Sequence, residues 1–230
     1  MTEILVTAGP TREHLDDVRF LSNGSTGRMG YAIAAAAVAR ACEVTLVSGP
    51  TALPTPAGVR RIDVVSADEM LAAAQAAFAR CEVAFFAAAV ADHRPARRHP
   101  GKPPKATSVL QVELVPNPDI AGTLGEQKGS RVCVGFALES FVGVPPADVV
   151  ARVLAKARRK HFDLCVVNAP DALAREGSRV FLLDPLAADD GPRGLEELPH
   201  QDKAVTAALL VERALARRTH VTRSPSEGRS

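Results

Sequence analysis

Residues 8–30 bring glycines, hydroxyls and positive charge together between an apolar run at 4–7 and a long Ala-rich run at 29–40. The two flanking runs predict a buried strand and a helix. Glycine lets backbone amides approach a ligand closely, and a helix N-terminus offers unpaired N–H groups and the positive end of its dipole to an anion. The stretch therefore indicates a phosphate or nucleotide site; the alternative is a loop whose residues only turn the chain and cap the helix. Its relevant residues are Gly9, Gly24, Gly27, Gly30, Ser25, Thr26, Arg12, Arg19 and Arg28.

Two other segments carry cations suited to a phosphate. Residues 92–107 contain five Lys or Arg side chains and four prolines, which predicts a stiff, exposed flap rather than a tight turn. Lys102 and Lys105 lie on this flap, where a lysine is usually only solvated, although a mobile cation is suited to closing over a polyphosphate. Lys156 and Lys160 are spaced i,i+4 on one face of a predicted helix; the alternative for them is a basic C-terminus favoured by the helix dipole.

Small or polar residues follow several apolar runs, where strands are predicted to end. The run at 83–91 ends in small residues before Asp92, which lets a ligand lie against the backbone or, alternatively, forms a helix-packing face with a capping Asp. Asn117 and Asp119 stand where a strand end enters a helix and would also suit helix capping. Phe136 ends another apolar run and on its own would be assigned to the core.

The composition of the 230 residues fits one sizeable α/β domain with a packed core, since 47% of them are hydrophobic. Aromatic residues make up only 4%, which argues against single-stranded nucleic-acid binding because that mode needs stacking platforms. The net charge of +2 is too small to imply a polyanionic partner. Because no apolar run reaches about 18 residues and no secretory signal is evident, we expect a cytoplasmic protein with no membrane or nucleic-acid partner.

The cysteines are widely spaced and show no metal-ligand pattern, which argues against a zinc site and favours reduced thiols. Those at 133 and 165 lie in apolar runs and are expected in the core. No Ser/His/Asp or Cys/His signature of nucleophilic catalysis is evident, and the residues that would hold a metal are not identified. The four cysteines are Cys42, Cys81, Cys133 and Cys165.

Apolar runs alternate with amphipathic or Ala-rich runs almost throughout the chain. Several predicted strands are continuously apolar, as in a sheet buried on both faces, so the pattern favours a Rossmann-like, doubly wound and mostly parallel sheet with a protruding flap. Sheets of this kind bind ligands at the carboxyl ends of their strands. We predict strands at 3–7, 43–48, 60–65, 83–88, 109–115, 131–136, 163–168 and 179–184, and helices at 28–41, 67–80, 118–127, 146–161 and 201–217.

Residues 1–217 are predicted to form a single domain. The proline-rich stretch 49–58 is interpreted as a structural crossover. Residues 218–230 are polar and unpatterned, which predicts a disordered tail.

Five ordered motifs resemble those of the phosphopantothenate–cysteine ligase family, the ligase domain of the decarboxylase–ligase proteins of coenzyme A biosynthesis. The longest is Gly-Pro-Thr-Arg-Glu followed by Val-Arg-Phe-Leu-Ser-Asn-Gly-Ser-Thr-Gly-Arg-Met-Gly within residues 9–30. Ala-Ala-Val-Ala-Asp, Asn-Pro-Asp-Ile, Val-Gly-Phe-Ala-Leu-Glu and a Lys-x-x-x-Lys pair follow in order, the last with Asp163 and Asn168 after it. The flap, Gly-Lys-Pro-Pro-Lys, has one basic residue fewer than the family's flap, and Ala169 replaces a second Asp.

The resemblance covers about residues 4–183 and implies roles for particular residues. Asn23 would hydrogen-bond the acyl carbonyl during amine attack, and Lys102 would neutralise the leaving pyrophosphate. The residues implied for the nucleotide are Gly9, Ser25, Gly27, Gly30, Asn117, Asp119, Phe136, Lys156, Lys160 and Asn168. Those implied for phosphopantothenate or the acyl intermediate are Arg19, Asn23, Ala88, Ala89 and Asp92.

The same resemblance implies a ligase that joins 4′-phosphopantothenate to L-cysteine through an acyl-nucleotide, with CTP or ATP as co-substrate and Mg²⁺ to screen the triphosphate. It also implies a homodimer in which Arg19 and Asn23 act on the partner's site, and a decarboxylase on a separate chain. Two other functions stay open. A nicotinamide-dependent oxidoreductase is disfavoured because Gly-x-Gly-x-x-Gly is missing, and a nucleotide-sensing regulator because the flap and paired lysines exceed what sensing needs.

Overall fold

The computed structural model describes residues 1–102, 109–139, 143–168, 180–187, 195–198 and 202–223. The strands are β1 (Glu3–Ala8), β2 (Arg12–His14), β3 (Phe20–Ser22), β4 (Glu43–Ser48), β5 (Val59–Asp63), β6 (Val83–Phe86), β7 (His93–Pro95), β8 (Leu114–Pro116), β9 (Val132–Leu138), β10 (Leu164–Asn168), β11 (Val180–Leu183) and β12 (Leu195–Leu198). The helices are α1 (Arg28–Ala39), α2 (Ala67–Phe78), α3 (Ile120–Glu126), α4 (Pro146–Arg159) and α5 (Lys203–Arg223).

Eight of these strands form the central sheet, in the order β12-β11-β10-β9-β6-β1-β4-β5. The six strands from β10 to β5 in this order are parallel to one another. At the other edge, β11 pairs antiparallel with β10, and β12 pairs antiparallel with β11. The inner strands are continuously buried, as the apolar runs predicted, because helices cover both faces. The predicted Rossmann-like, mostly parallel fold is therefore confirmed.

The core has two layers, one on each face of the sheet. Leu210 of α5 and Ile33 of α1 belong to the same buried cluster, with Val6 and Phe85 of the sheet. The second cluster joins α2, α3 and α4 to the other face and includes the largely buried Phe162. Because aromatic residues are few, alanine and valine fill much of both layers and bring the helices close to the sheet.

The order of the strands reverses at β1, which places a crevice at its carboxyl end. From β1 the chain proceeds outward through β4 and β5, and then returns to the other side of β1 with β6. Crevices at such switch points are where open α/β sheets bind ligands. The turn after Ala8 and the small residues after Phe86 meet here, since the backbone N–H of Ala89 donates to the carbonyl oxygen of Gly9 at 2.9 Å.

Two short ribbons project beside this crevice and were not predicted. The β2–β3 hairpin lies inside the glycine-rich stretch, and the Arg12 guanidinium lies 4.5 Å from the ring centre of Phe20 across it. The predicted strand at 109–115 is wrong in both extent and place, because only Leu114–Pro116 is strand and it pairs with β7 outside the central sheet. Val109 is exposed, so the apolar run that suggested a buried strand does not enter the core.

The five helices begin and end within a few residues of their predicted bounds, except for α5. Helix α2 begins at a clear N-terminal capping signal: the Ser66 hydroxyl accepts the N–H of Glu69, and acidic residues occupy the first turn. Helix α5 continues to Arg223, so residues 218–223 of the predicted tail are helical, while 224–230 lie outside the described residues. In the described part of the chain, no helix is long and apolar enough to cross a membrane.

Candidate active site

A cleft of about 740 Å³ opens at the carboxyl edge of the sheet, around the switch point. Its walls come from the turn before α1, the segment after β6, the start of α3, the ends of β9 and β10, the end of α4 and the start of α5. The predicted site residues that line it are Asn23, Ser25, Gly27, Gly30, Ala88, Ala89, Asp92, Asn117, Asp119, Phe136, Lys156, Lys160 and Asn168.

Three predicted site residues lie elsewhere. Gly9 lies beneath the turn and packs against the backbone of Gly49. The Arg19 guanidinium lies 2.7 Å from the Asp16 carboxylate on the β2–β3 hairpin, and Lys102 is exposed on the flap. None of the three lines the cleft as the described residues form it, and Lys105 lies outside those residues.

The cap of α1 differs from the prediction. Gly27 occupies the N-cap with a φ of 77° and supplies no side chain, while the Ser25 hydroxyl accepts the N–H of Gly27 at 3.3 Å. The hydroxyls of Ser25 and Thr26, which the notion of a capping loop required at the helix start, therefore do not cap α1. Within the described residues, no acceptor contacts the backbone N–H groups of Met29 and Gly30, so this end of α1 presents donors and its positive dipole end to the cleft.

The glycines act mainly by permitting close packing. A Cβ on Gly30 would lie 2.5 Å from the Cβ of Ala8, so α1 lies directly against β1. A Cβ on Gly9 would lie 3.0 Å from the carbonyl oxygen of Gly49, and its φ of 74° favours glycine. For Gly9 and Gly30, the structure thus adds a packing role on the sheet, while Gly30 also lines the cleft and its predicted contact with a ligand stays a prediction.

Asn23 bonds to the backbone of the segment after β6 instead of capping α1. Its Nδ2 donates to the carbonyl oxygens of Val90 at 2.9 Å and of Ala89 at 3.3 Å. The alternative that Asn23 merely caps the following helix is therefore wrong, because α1 begins five positions later at Arg28. The residue is exposed and ties the hairpin to the alanine segment.

The segment Ala88–Asp92, here called the alanine strip, forms one wall of the cleft and is held from both sides. On one side, the Ala91 N–H donates to the Thr11 hydroxyl at 3.0 Å. On the other, Nδ2 of Asn117 donates to the Ala91 carbonyl oxygen at 2.8 Å, and Arg94 donates to the Asn117 side chain at 3.0 Å. The strip is therefore a rigid wall, whose small side chains leave room for a ligand.

Asp119 and Lys160 form an ion pair on the opposite wall. The Lys160 ammonium lies 2.8 Å from Oδ1 of Asp119, which also accepts the N–H of Gly122 at the start of α3. Partial burial raises the pKa of the Asp119 carboxyl, but the hydrogen bonds from Lys160 and Gly122 outweigh burial and lower the pKa overall. Asp119 therefore caps α3, as one of its two predicted roles required, and stays ionised beside the cleft.

Cations line the cleft on two sides, which gives it the electrostatic character of an anion site. Lys156 and Lys160 stand on the α4 side, with Arg159 between them in sequence, and Arg28 and Lys203 stand on the α1 and α5 side. Sequence reasoning missed Arg159 and Lys203. Arg159 belongs to a basic run that offered a signal, whereas no local pattern links Lys203 to residues so distant in sequence.

Phe136 and Asn168 complete the floor at the carboxyl ends of β9 and β10. Phe136 is half-buried, packs against the α1–α5 core layer and also lines the cleft, so its contact with a nucleotide stays a prediction. Gly135 has no room for a side chain, since its Cβ would lie 1.9 Å from the Phe162 ring. This close packing holds the backbone next to Phe136 against Phe162, which follows the end of α4.

The four cysteines are free, buried and absent from the cleft lining. Burial raises the pKa of Cys81, Cys133 and Cys165 to about 12 and also raises that of Cys42. Their thiols are therefore protonated at neutral pH and suited to packing. In the described residues, no group of three or more His, Cys, Asp or Glu side chains is arranged to hold a metal ion.

With a Rossmann-like sheet and a cation-lined cleft at its switch point, this is an α/β protein suited to binding an anionic ligand. Residues 1–217 match the family described as DNA/pantothenate metabolism flavoprotein C-terminal domain. The chain belongs to this family, which confirms the family expected from the ordered motifs.

Two curated relatives illustrate the similarity. A cysteine/cysteine sulfinic acid decarboxylase of an unknown prokaryotic organism is 41% identical over 187 residues, covering 79% of this chain and 50% of that protein. The coenzyme A biosynthesis bifunctional protein CoaBC of Escherichia coli K12 is 45% identical over 169 residues, covering 72% of this chain and 40% of that protein. The chain thus spans about half the length, or less, of these relatives.

Solved structures share the fold. The C-terminal domain of a coenzyme A biosynthesis bifunctional protein CoaBC is 35% identical, with a TM-score of 0.76 and 97% of each chain covered. A Cab2 mutant in complex with phosphopantothenate-cysteine has a TM-score of 0.73 over 96% of this chain and 87% of that one. At 16% identity, the second likeness concerns the fold alone.

Proposed function

We propose that this chain is a ligase that joins 4′-phosphopantothenate to L-cysteine at the expense of a nucleoside triphosphate. The observation that carries the proposal is the juxtaposition of the alanine strip and Asn23 on one wall of the cleft with the cations Lys156, Arg159 and Lys160 on another. This arrangement suits a phosphorylated acid lying beside a triphosphate. The name of the Escherichia coli relative supports a role in coenzyme A biosynthesis, and the Cab2 mutant is a protein of the same fold that is named as a complex with phosphopantothenate-cysteine.

The chemistry follows from the inertness of a carboxylate toward amines. A carboxylate oxygen of phosphopantothenate attacks the α-phosphorus of the nucleotide, the bond to the bridging oxygen breaks, and pyrophosphate leaves. The cysteine amine then attacks the acyl carbonyl, gives up a proton and displaces the nucleoside monophosphate. No protein nucleophile is required, which agrees with four buried and protonated cysteines.

The nucleotide would lie between the two groups of cations. Lys156, Lys160 and the open N-terminus of α1 would bind the triphosphate, because lysine ammonium groups and helix N–H groups both favour anions. Phe136 would lie against the base or ribose. Asp119 would hold Lys160 in position rather than contact a phosphate directly, since like charges repel.

The cleft also fits a magnesium ion that arrives with the triphosphate. Mg²⁺ keeps several waters and is commonly held by one or two carboxylates together with phosphate oxygens, so it needs no all-protein cage. The exposed carboxylate of Asp92 on the cleft wall is the residue we expect to contribute. Bound there, the ion would screen the triphosphate and stabilise the departing pyrophosphate.

Asn23 would serve both binding and amide formation. Its two amide hydrogens already bond the carbonyl oxygens of Ala89 and Val90, so contact with the acyl carbonyl requires that one of these bonds be exchanged when substrate binds. An exposed side chain makes this exchange inexpensive. The developing oxyanion would then receive a neutral donor.

Arg19 and Lys102 would act on the cleft of a second copy in a homodimer. Both lie outside the cleft of their own chain, and Arg19 is on a hairpin whose Val18 and Phe20 are exposed. Leu114 of the neighbouring ribbon is exposed as well, which makes these projecting ribbons an apolar surface suited to pairing with a copy of itself.

The decisive experiment mixes the purified chain with phosphopantothenate, Mg²⁺ and either CTP or ATP, with and without cysteine. We expect pyrophosphate release to require phosphopantothenate, and the amide to form only when cysteine is present. Comparing the two nucleotides assigns the preferred one. Release of orthophosphate would indicate an acyl-phosphate route, and nucleotide binding without turnover would favour a regulator. In a parallel mixture with an oxidised nicotinamide cofactor in place of the triphosphate, reduction of that cofactor would instead indicate an oxidoreductase.

A further inference from the structure

Thr11 is fully buried, yet all of its polar groups are used to join two parts of the cleft. Its hydroxyl oxygen accepts the N–H of Ala91 at 3.0 Å, and its own N–H donates to the carbonyl oxygen of Ala89 at 3.4 Å. Its carbonyl oxygen accepts the hydroxyl of Ser22 at 2.7 Å. One residue therefore holds the alanine strip on one side and the β2–β3 hairpin on the other.

Together with the Asn23 contacts, these hydrogen bonds form a closed ring of contacts that includes the strip. Ser22 directly precedes Asn23, whose amide donates to the carbonyl oxygens of Ala89 and Val90. The chain thus passes from Thr11 through Ser22 and Asn23 to the strip, and returns to Thr11 through the Ala91 N–H. The ring sets the position of the Asn23 amide relative to the wall that faces the cleft.

The Ala91 bond is the member of this ring that water cannot replace. Ala91 is only 6% exposed and Thr11 is 0% exposed, so without the Thr11 hydroxyl the Ala91 N–H would have no acceptor. An unsatisfied buried donor is costly, and the strip would shift to satisfy it. Asn117 holds the Ala91 carbonyl oxygen from the other side and would not compensate, because that oxygen belongs to the next peptide group and Asn117 offers no acceptor to the Ala91 N–H.

We propose that Thr11 is a positioning residue for the phosphorylated acid substrate, acting through the alanine strip. The inference rests on the proposed function, in which that acid lies against Ala88 and Ala89. Thr11 does not line the cleft, and it contacts neither set of cations. Its loss should therefore weaken binding of the acid without weakening binding of the triphosphate.

The test compares Thr11→Val, which keeps the shape but removes the hydroxyl, with Thr11→Ser, which keeps the hydroxyl. The control is Thr206→Val: Thr206 is also buried, but its hydroxyl donates to the carbonyl oxygen of Asp202, the residue before α5, and to neither the strip nor the hairpin. Binding of phosphopantothenate and of CTP or ATP is measured by calorimetry, KM and kcat by pyrophosphate release, and folding by the melting temperature.

We expect Thr11→Val to raise the Kd and KM for phosphopantothenate about tenfold, with the nucleotide Kd changed by less than about twofold. Thr11→Ser should restore acid binding, and Thr206→Val should lower the melting temperature without changing either Kd. Unchanged acid binding by a folded Thr11→Val protein would overturn the inference, as would equal weakening of both ligands. If the wild-type chain binds no phosphopantothenate, the proposed function fails, and the inference with it.

Discussion

The ammonium nitrogen of Lys160 lies 2.8 Å from Oδ1 of Asp119, which joins the end of α4 to the start of α3 beside the cleft. The two helices meet backbone to backbone here, since a Cβ on Gly125 would lie 2.0 Å from the Lys160 carbonyl oxygen. A second Lys–Asp pair, Lys128 with Asp163 at 2.6 Å, lies away from the cleft. The two pairs are matched in chemistry and differ in place.

Lys160→Met should therefore change mainly nucleotide binding, and Lys128→Met should change mainly stability. We expect Lys160→Met to raise the nucleotide Kd by about tenfold or more through loss of a phosphate contact, with little loss of stability because the Asp119 carboxylate left behind is half-exposed to water. Lys128→Met should leave nucleotide binding unchanged and lower the melting temperature more, since it strands the largely buried Asp163 carboxylate. Calorimetry and thermal unfolding measure both, and equal nucleotide Kd values for the two variants would remove Lys160 from the binding site.

Asn23→Asp should impair amide formation more than pyrophosphate release. An ionised Asp offers only acceptors, so it loses both bonds to the strip and repels the oxyanion formed when the amine attacks. Asn117→Asp is the matched control, because Asn117 also donates its amide to the strip. We expect acyl-nucleotide to accumulate only in Asn23→Asp, as measured by mass spectrometry of quenched reactions. Identical behaviour of the two variants would restrict Asn23 to holding the strip.

Lys102→Gln should slow pyrophosphate release with little effect on phosphopantothenate binding. Removing one positioned charge from a developing anion typically lowers the rate by about 10²–10³. Lys105→Gln serves as the comparison and should have the smaller effect, since the resemblance to the family implies the pyrophosphate role for Lys102 alone. The measurement is single-turnover pyrophosphate release at saturating substrates. A rate equal to that of the wild type would mean that Lys102 is only solvated.

Asp16 should make the β2–β3 hairpin sensitive to acid. Hydrogen bonds from the backbone N–H groups of Arg19 and Val18 lower its pKa from 3.8 to about 2. Because the folded pKa is the lower one, the stabilisation is complete above the unfolded value and is lost as the pH falls from about 4 to about 2. The melting temperatures of wild type and Asp16→Asn should therefore differ at pH 7 and converge near pH 2. A constant difference across this range would contradict the assignment.

The buried cysteines should be chemically inert in the folded protein. Burial raises the pKa of three of them to about 12, so almost no thiolate forms at pH 8. We expect no reaction with a thiol reagent until denaturant is added, when all four thiols should titrate. Replacing the four by alanine should preserve turnover while lowering stability, chiefly at Cys133 and Cys165, which are fully buried. Loss of turnover in a folded variant would indicate a covalent enzyme intermediate.

Local sequence was sufficient to predict a strand or helix where the pattern that indicates it lies within that same segment. The apolar run at 43–48 became a strand with the predicted bounds, and the predicted helix at 67–80 was observed as Ala67–Phe78, because periodicity and capping act over neighbouring residues. The prediction of a strand at 109–115 was wrong, because an apolar run does not show whether the central sheet has a place for it. Its residues pair with β7 in a projecting ribbon instead.

The sequence by itself determined the family, the mostly parallel sheet and a set of site residues of which all but three line the cleft, because ordered motifs and the alternation of strands and helices are present along the chain. Tertiary structure alone decided how those residues work together. It brought Asn23 to the carbonyl oxygen of Ala89, 66 positions away, and placed Lys203 across the cleft from Lys156. It also packed Gly9 and Gly30 closely against neighbouring residues and joined buried Thr11 to the cleft wall through the Ala91 N–H. Contacts between distant segments depend on how the strands are ordered in the sheet, and no local pattern carries that information.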